Sequence, residues 1–478
     1  MAEESPKNKP VLTKFLRPLG IIGVDRIDAV VLAAIASEVP LLLIGAHGTA
    51  KSLLLTRISE ALGLEFRHYN ASLLNYDDLV GYPLPDASGG LKFVETPASI
   101  WPAEAVLVDE ISRCRPDMQN RLFPIIHEKR VQGMLLPKLR FRWAAMNPPP
   151  SLSESAADAA EYLGSEALDV ALADRFPFVI EMPTWQEFST NDRMALVRSP
   201  VEDLAPEVVQ AARSIVEQTR ERILHVEAAF SNLVAEYCHL IEHALAPLKI
   251  RLSGRRGWML HNAICAVHAA RWTLGARTNI DESAWIALKN AIPDRAWGAV
   301  IEDVKVQLVH RRVCETLHME HGDPRRLLVQ ETDPVNRALM AIGIDALAGN
   351  ELSAHVADAL ASCELGARHL LAATLSAQGA IARLNPAIAE QIAILVGELE
   401  VGCTVAWSIG PHSGKHDAYK AIVRVCGADA TASASTVALN NLLLRLLNEG
   451  QCSSSSSIER TVAAYRSMEV RLETRRAA

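Results

Sequence analysis

Gly45-Ala46-His47-Gly48-Thr49-Ala50-Lys51-Ser52 decides how this chain folds. The stretch follows the apolar run Val39-Pro40-Leu41-Leu42-Leu43-Ile44 and leads into Leu53-Leu54-Leu55-Thr56-Arg57-Ile58. A buried strand, a glycine-bearing loop and a helix, in that order, are the context a phosphate-binding loop requires. Backbone N–H groups of such a loop, together with the positive end of the following helix, cradle a polyphosphate. Lys51 is then placed to reach the outer phosphates and Ser52 to ligate Mg²⁺. Ala50 stands where glycine usually precedes the lysine. The bland alternative is a structural turn after a core strand.

A second stretch supplies the other half of such a site. Ala105-Val106-Leu107-Val108-Asp109-Glu110 is a short apolar run ending in two adjacent carboxylates. Asp109 is placed to hold the metal, and Glu110 to polarise a water for attack on a γ-phosphate. A solvated acidic pair at a strand end is common, but a phosphate loop upstream at the expected separation makes the pair specific.

On these residues the chain resembles the MoxR-type AAA+ ATPases. Gly45 to Ser52 is similar to that family's GxPGxAKS loop, with His47 in place of the proline. That exchange is expected to matter little, because the loop backbone makes the contacts. Asp109-Glu110-Ile111-Ser112-Arg113, continuing to Pro116, Gln119 and Glu128, resembles the DEINRAPP…Q…E signature. Phe66 to Asn70 and Asp77-Asp78-Leu79-Val80-Gly81 resemble the block before it. Gly89-Gly90-Leu91-Lys92-Phe93 fits the helix-2 insert hairpin, with the glycine pair as its turn. Phe141 to Pro148 resembles the sensor 1 strand, Asn147 being the polar sensor. Leu172-Ala173-Asp174-Arg175-Phe176 resembles the LDRF segment, whose arginine acts across a subunit boundary. Leu252-Ser253-Gly254-Arg255-Arg256 resembles sensor 2, where spacing from Ser253 favours Arg255 over Arg256. Leu19 to Asp25 is similar to the segment near the adenine, and Arg277 to Trp285 to the end of the lid. The likeness covers roughly residues 15–300, while the segment Pro148–Val170 is longer than in the simplest members.

The resemblance implies an α/β AAA+ core with a parallel sheet, a helical lid, ATP and Mg²⁺ as ligands, and a ring of identical subunits, expected to be a hexamer. It also implies a protein client to be remodelled, often with a von Willebrand factor A-type partner. The physical logic stands beside it. Hydrolysis of ATP is mainly positioning and charge stabilisation. Lys51, the metal and the loop amides cover one side of the phosphate, Asn147 can orient the attacking water, and Glu110 can take its proton. A cation on the far side is missing from one subunit, and Arg175 from a neighbour would supply it as an arginine finger. An ordinary surface partner for Asp174 is the bland alternative for Arg175.

Composition agrees with a soluble intracellular protein, and the cysteine usage with a reduced, cytoplasmic one. The 478 residues are 49% hydrophobic, enough for two or three domains with real cores. A formal charge of −8 argues against broad nucleic-acid affinity. Polar, charged residues open the chain, and the apolar runs at 21–44 are interrupted by Asp25, Arg26, Asp28 and Glu38, so neither a leader nor a membrane span is expected. Eight cysteines without CxxC pairs read as free thiols. Residues 1–195 alternate strand and helix patterns and are expected to form the nucleotide-binding core, 196–300 the helical lid, and 301–478 a mostly helical C-terminal domain. In the last, Cys403–Ile409 is a possible strand and Ser453–Ser457 a flexible linker before a final helix.

Three tempting motifs carry less. Gly410 to Lys415 has a shortened loop spacing and lacks the following hydroxyl residue. His239-Leu240-Ile241-Glu242-His243 matches a zinc-peptidase pattern but falls inside the expected lid. His310, Cys314 and His318 share a helical face, with His321 close by; a solvated face is the better expectation than zinc. Two other functional classes stay open. A nucleic-acid motor or defence-system ATPase would use Arg130, Lys138, Arg140 and Arg142 around an expected hairpin, against the acidic balance. A slow nucleotide-dependent scaffold is disfavoured by Glu110 and Arg175.

Overall fold

Leucines and isoleucine in an unbroken run suit a strand covered on both faces. The computed structural model describes residues 14–85, 90–149, 165–198, 203–277, 279–320, 322–404, 414–427 and 433–477, and Leu41–Ile44 is β1 of its main sheet. That sheet has five strands, all parallel, in the order β2-β5-β8-β1-β9, with β2 at Phe66–Asn70, β5 at Ala105–Asp109, β8 at Phe141–Met146 and β9 at Phe178–Glu181. The strand β1 and all of β8 are buried, as is β5 up to Val108. Leu42, Ile44, Val106, Val108, Ala144 and Met146 pack with Met118, Leu122, Ile125 and Ile126 from the helix Pro116–Glu128. This is the expected α/β AAA+ core with its parallel sheet.

Two small hairpins leave the core. The first pairs β3 (Tyr82–Pro85) with β4 (Leu91–Val94), where the helix-2 insert is expected; Gly89 of the expected turn lies outside the described residues. Gly81 enters it at φ +86°, and a Cβ there would stand 2.3 Å from the carbonyl oxygen of Val94. The second pairs β6 (Arg130–Val131) with β7 (Met134–Leu135) through Gln132 and Gly133, at φ +49° and +81°. It does not present the four basic residues of the nucleic-acid reading as a set. Arg140 donates to Glu38 at 3.1 and 2.6 Å, and Arg142 is buried against the carbonyls of Glu38 and Arg140. Burial pushes the Arg142 guanidinium down to about 10.

The lid is built on the helices Pro206–Leu245, Gly254–Thr273 and Ile280–Lys289. Glu38 clasps it to the core, its Oε1 accepting from Arg140 on one side and from Arg220 of the first lid helix, at 2.8 Å, on the other. Opposing desolvation of Glu38, these guanidinium partners hold its carboxyl below the usual range.

The compact unit holding core and lid runs to His318, so the expected boundary at 300 falls eighteen residues too early. The reason is the helix Asp303–Leu317, which packs on the first lid helix and ties to it through a 2.8 Å bond between Tyr237 Oη and His310 Nδ1. His310 and Cys314 are therefore buried, not solvated. Burial carries His310 down to about 4 and Cys314 up to about 12. His318 turns instead to Asp281 at 2.9 Å, so the three do not converge, and no metal-binding cluster occurs among the described residues.

The second unit, Met319–Ala478, is helical in all its described elements. Cys403 and Thr404 are not in a strand, and 405–413, which includes most of the Gly410–Lys415 motif, lie outside the described residues. The serine run is no linker. Ser454 Oγ accepts from the Ser457 amide at 3.2 Å, and the last helix starts at Ser455, because serine is a strong N-cap. That helix completes two cores: Met468 and Leu472 close one with Val356, Leu371 and Ile392, while Ile458, Val462 and Tyr465 close the other with Leu442, Leu443 and Leu446.

Gly366 allows the last helix to approach. A Cβ at that position would lie 2.3 Å from the Thr461 carbonyl oxygen and 3.1 Å from Tyr465 Cβ. Gly366→Ala should therefore destabilise the second unit by about 1–3 kcal/mol. Thermal melting of the full chain followed by circular dichroism would show it, and an unchanged melt would mean that the two helices do not meet this closely.

Candidate active site

Strand register assembles the site. Ile44 lies opposite Met146, and Val108 opposite Ala144, so β1, β8 and β5 end side by side and their following loops open on one edge of the sheet. Ligands of open parallel sheets sit at such carboxyl edges. A cleft of about 310 Å³ lies there, lined by His47 to Leu53, Asn70, Asp109, Glu110, Met146 and Asn147.

The loop after β1 has the backbone its sequence requires. Gly48 has φ +77° and Ala50 φ +62°, after which the helix Lys51–Leu62 begins with no side chain capping its first N–H groups and no acidic residue in its first turn. Those amides are the donors a polyanion would take up. Gly45 is needed for space, since a Cβ would meet Met182 Cβ and Thr49 Oγ1, each at 2.8 Å. The Ala46 carbonyl accepts from the Thr49 hydroxyl at 2.8 Å, which closes the turn.

The charged groups meet across the cleft. Lys51 Nζ donates to the carbonyls of Gly45 and Ala46 at 2.7 and 2.9 Å and to Asn147 Oδ1 at 3.2 Å. Its pKa is lowered by burial, against the pull of Asp109 and Glu110. The Ser52 hydroxyl donates to Asp109 Oδ2 at 2.6 Å, and the Glu110 amide to Asp109 Oδ1 at 2.9 Å. Burial works against the Asp109 charge, but hydrogen bonds from His68, Ser52 and the Glu110 amide outweigh it and hold the carboxyl below its usual range. A hydroxyl and an ionised carboxylate converging beside open helix amides fit a phosphate-bound divalent cation. Glu110 sits at φ +53°, a left-handed backbone that non-glycine residues adopt at a cost of about 1–3 kcal/mol.

Residues 40–160 match the family model described as AAA domain, dynein-related subfamily. Over these residues the core is similar to an AAA domain. Among solved structures, a candidate ATPase from Cytophaga hutchinsonii ATCC 33406 is similar at 16% identity with a TM-score of 0.41, covering 62% of this chain and 92% of that one, a likeness too distant to carry fold or function. No curated protein matches the chain.

The two candidate arginines, Arg175 and Arg255, lie outside this cleft. Arg175 stacks on Phe123, with Cζ 4.4 Å from the ring centroid, and donates to the Ala171 carbonyl. Arg255 lies 3.4 Å from Asp174 and keeps its side chain 43% exposed. Neither lines the cleft of its own subunit. Burial and the charges of Arg255 and Arg175 press His127 below its usual value. Arg256 is buried, donating to the Phe176 carbonyl at 2.6 Å and to that of Ala291. Of the two candidates, only Arg255 presents an exposed side chain.

Two histidines of the AAA domain are more involved than their sequence context suggests. Lys51 can only donate, so Asn147 turns Oδ1 toward it and offers Nδ2 to His47 Nε2 at 3.3 Å. The His47 side chain therefore meets the sensor position, contrary to the expectation that only its backbone matters. His68 reaches Asp109 from the neighbouring strand. The readable signal was the alternation in β2, where His68 and Asn70 are polar and exposed on one face. A larger groove of about 480 Å³ lies between lid helices and is lined by Glu227, Ser231, Trp258 and His261, without a phosphate loop or paired carboxylates. The segment 150–164, within the long Pro148–Val170 stretch, lies outside the described residues.

Two loop substitutions should act in opposite directions. Ala50→Gly relieves a left-handed alanine and should raise stability by up to about 1 kcal/mol while nucleotide binding is kept. Gly45→Ala should weaken nucleotide binding by distorting the cradle. Melting temperature and titration with a fluorescent nucleotide test both, and tight binding by Gly45→Ala would contradict the packing against Met182.

Proposed function

We propose that this chain is an ATP-hydrolysing AAA+ protein of MoxR type that works as a head-to-tail ring, expected to be a hexamer, and remodels or activates a protein client with a von Willebrand factor A-type partner. The observation that carries the ring is the separation of parts. Lys51, Ser52, Asp109, Glu110 and Asn147 share one cleft, while Arg175, stacked on Phe123, and Arg255, beside Asp174, lie outside it. A site built in this way is complete only when a neighbouring copy brings its arginines to the phosphate.

Within that frame each residue has a task. Lys51 leaves the carbonyls of Gly45 and Ala46 for the outer phosphates, so ATP replaces two hydrogen bonds to neutral oxygens with bonds to anionic ones. Ser52 and Asp109 would hold Mg²⁺, which supplies charge neutralisation at the β- and γ-oxygens. Glu110 orients a water and takes its proton as the water oxygen bonds to the γ-phosphorus and the bond from that phosphorus to the β–γ bridging oxygen breaks, releasing ADP. Asn147, fixed between Lys51 and His47, positions that water. Arg175 of the next subunit stabilises the charge spread over the transferred group, with Arg255 in the sensor 2 role.

Client and partner follow from the resemblance in residues 15–300, and the second unit, 319–478, is the part we assign to client selection. A cytoplasmic setting fits the eight free cysteines and the lack of any described helix long and apolar enough to cross a membrane. The nucleic-acid reading loses Arg140 and Arg142, which are tied to Glu38.

Lys51→Ala should abolish ATP binding. Glu110→Gln should bind ATP, turn over about 10²–10⁴-fold more slowly, and retain the client; mass spectrometry of ATP-dependent co-purifying material, with and without nuclease, identifies it. Recovery of nucleic acid alone would sink the chaperone reading. Arg175→Ala should keep ATP binding and lower kcat by about 10³-fold or more. Mixing it with Glu110→Gln subunits should restore part of the turnover, and rings that form without any recovery would remove Arg175 from the neighbour's site.

A further inference from the structure

We propose that His68 is a positioning residue of the metal half of the nucleotide site: its imidazole fixes the Asp109 carboxylate so that Ser52 and Asp109 are preset for the cation. This inference rests on the nucleotide-site reading above and deepens it. Three donors hold Asp109. The Ser52 hydroxyl and His68 Nε2 both reach Oδ2, at 2.6 and 3.1 Å, while the Glu110 amide reaches Oδ1 at 2.9 Å. An ionised carboxylate only accepts, so Nε2 carries the hydrogen and the tautomer of His68 follows.

These three donors are not equivalent. Ser52 is the residue a cation would engage, so its hydroxyl belongs to the ligand set. The Glu110 amide is part of the backbone that Asp109 itself belongs to. His68 comes from a different strand, and register puts it on the correct face. In the parallel pair, Asn70 lies opposite Asp109 and His68 opposite Leu107, so the residue two positions before Asn70 points to the same side of the sheet as the carboxylate. Its side chain is 42% exposed, so it fills no core space that would explain it as packing. Hydrogen-bonded partners behind ligating carboxylates fix ligand orientation, and losing one typically costs 10–100-fold in metal affinity.

The test measures binding of the fluorescent nucleotide mant-ADP to the full chain, first in EDTA and then across a Mg²⁺ titration. His68→Leu removes the donor, and His68→Gln keeps an N–H at similar reach. For His68→Leu, the Mg²⁺ concentration that gives half of the metal-dependent tightening should rise about 10–100-fold. Affinity in EDTA should stay at the wild-type value, and His68→Gln should recover most of the loss. A His68→Leu protein with wild-type Mg²⁺ dependence overturns the proposal. So does an equal loss of EDTA affinity in both variants, which would mark a purely structural role. Failure of the wild-type chain to bind mant-ADP at all would instead strike the nucleotide-site reading, and the positioning role would fall with it.

Discussion

Ile44 beside Met146, and Val108 beside Ala144, form a register of a few backbone hydrogen bonds on which everything at the cleft depends. Parallel strands that end level bring their carboxyl-terminal loops within a few ångströms of one another. Lysine, serine, paired carboxylates and an asparagine, scattered over a hundred residues of chain, thereby meet at one polyanion-sized space. A slip of one residue in any of these strands would turn its side chains to the opposite face and take its contribution out of the cleft. Burial of β1 and β8 fixes the register, because each has apolar side chains that must stay covered on both sides.

The backbone at the cleft is strained at two points. Ala50 and Glu110, neither of them glycine, occupy left-handed conformations, the first at the N-terminus of the helix after the phosphate loop and the second directly after β5. Such conformations persist when the surroundings over-determine them, here a following helix on one side and a short turn of helix, Ile111–Arg113, on the other. Each aims a group inward: the helix amides after Ala50, and the carboxylate of Glu110. Local strain and functional geometry coincide.

Much of this was legible in the sequence, and the reason is locality. The phosphate loop and the Asp109-Glu110 pair are contiguous strings bounded by apolar runs, so their side chains and their structural context are read together. His68 was not legible in this way, because its meaning depends on which residue of a neighbouring strand it faces. The choice between Arg255 and Arg256 was open along the chain, where the doubled arginines leave only spacing to go by; their depths differ, with Arg256 spending its donors on the carbonyls of Phe176 and Ala291. The serine run misled because a flexible linker and an N-cap favour the same residue. The boundary at 300 misled because nothing in the sequence says that the helix Asp303–Leu317 packs backward onto the lid.

The final helix of the second unit gives residues to two separate cores, Ile458 to Tyr465 to one and Met468 to Leu472 to the other. Each half of the unit leaves part of its interior uncovered until this one segment has docked along both. Helices that look like a string of independent hairpins are thus joined into a single cooperative block, in which loosening one end exposes the other. If this unit grips a client, force applied at either core is carried to the other through one continuous rod of backbone hydrogen bonds.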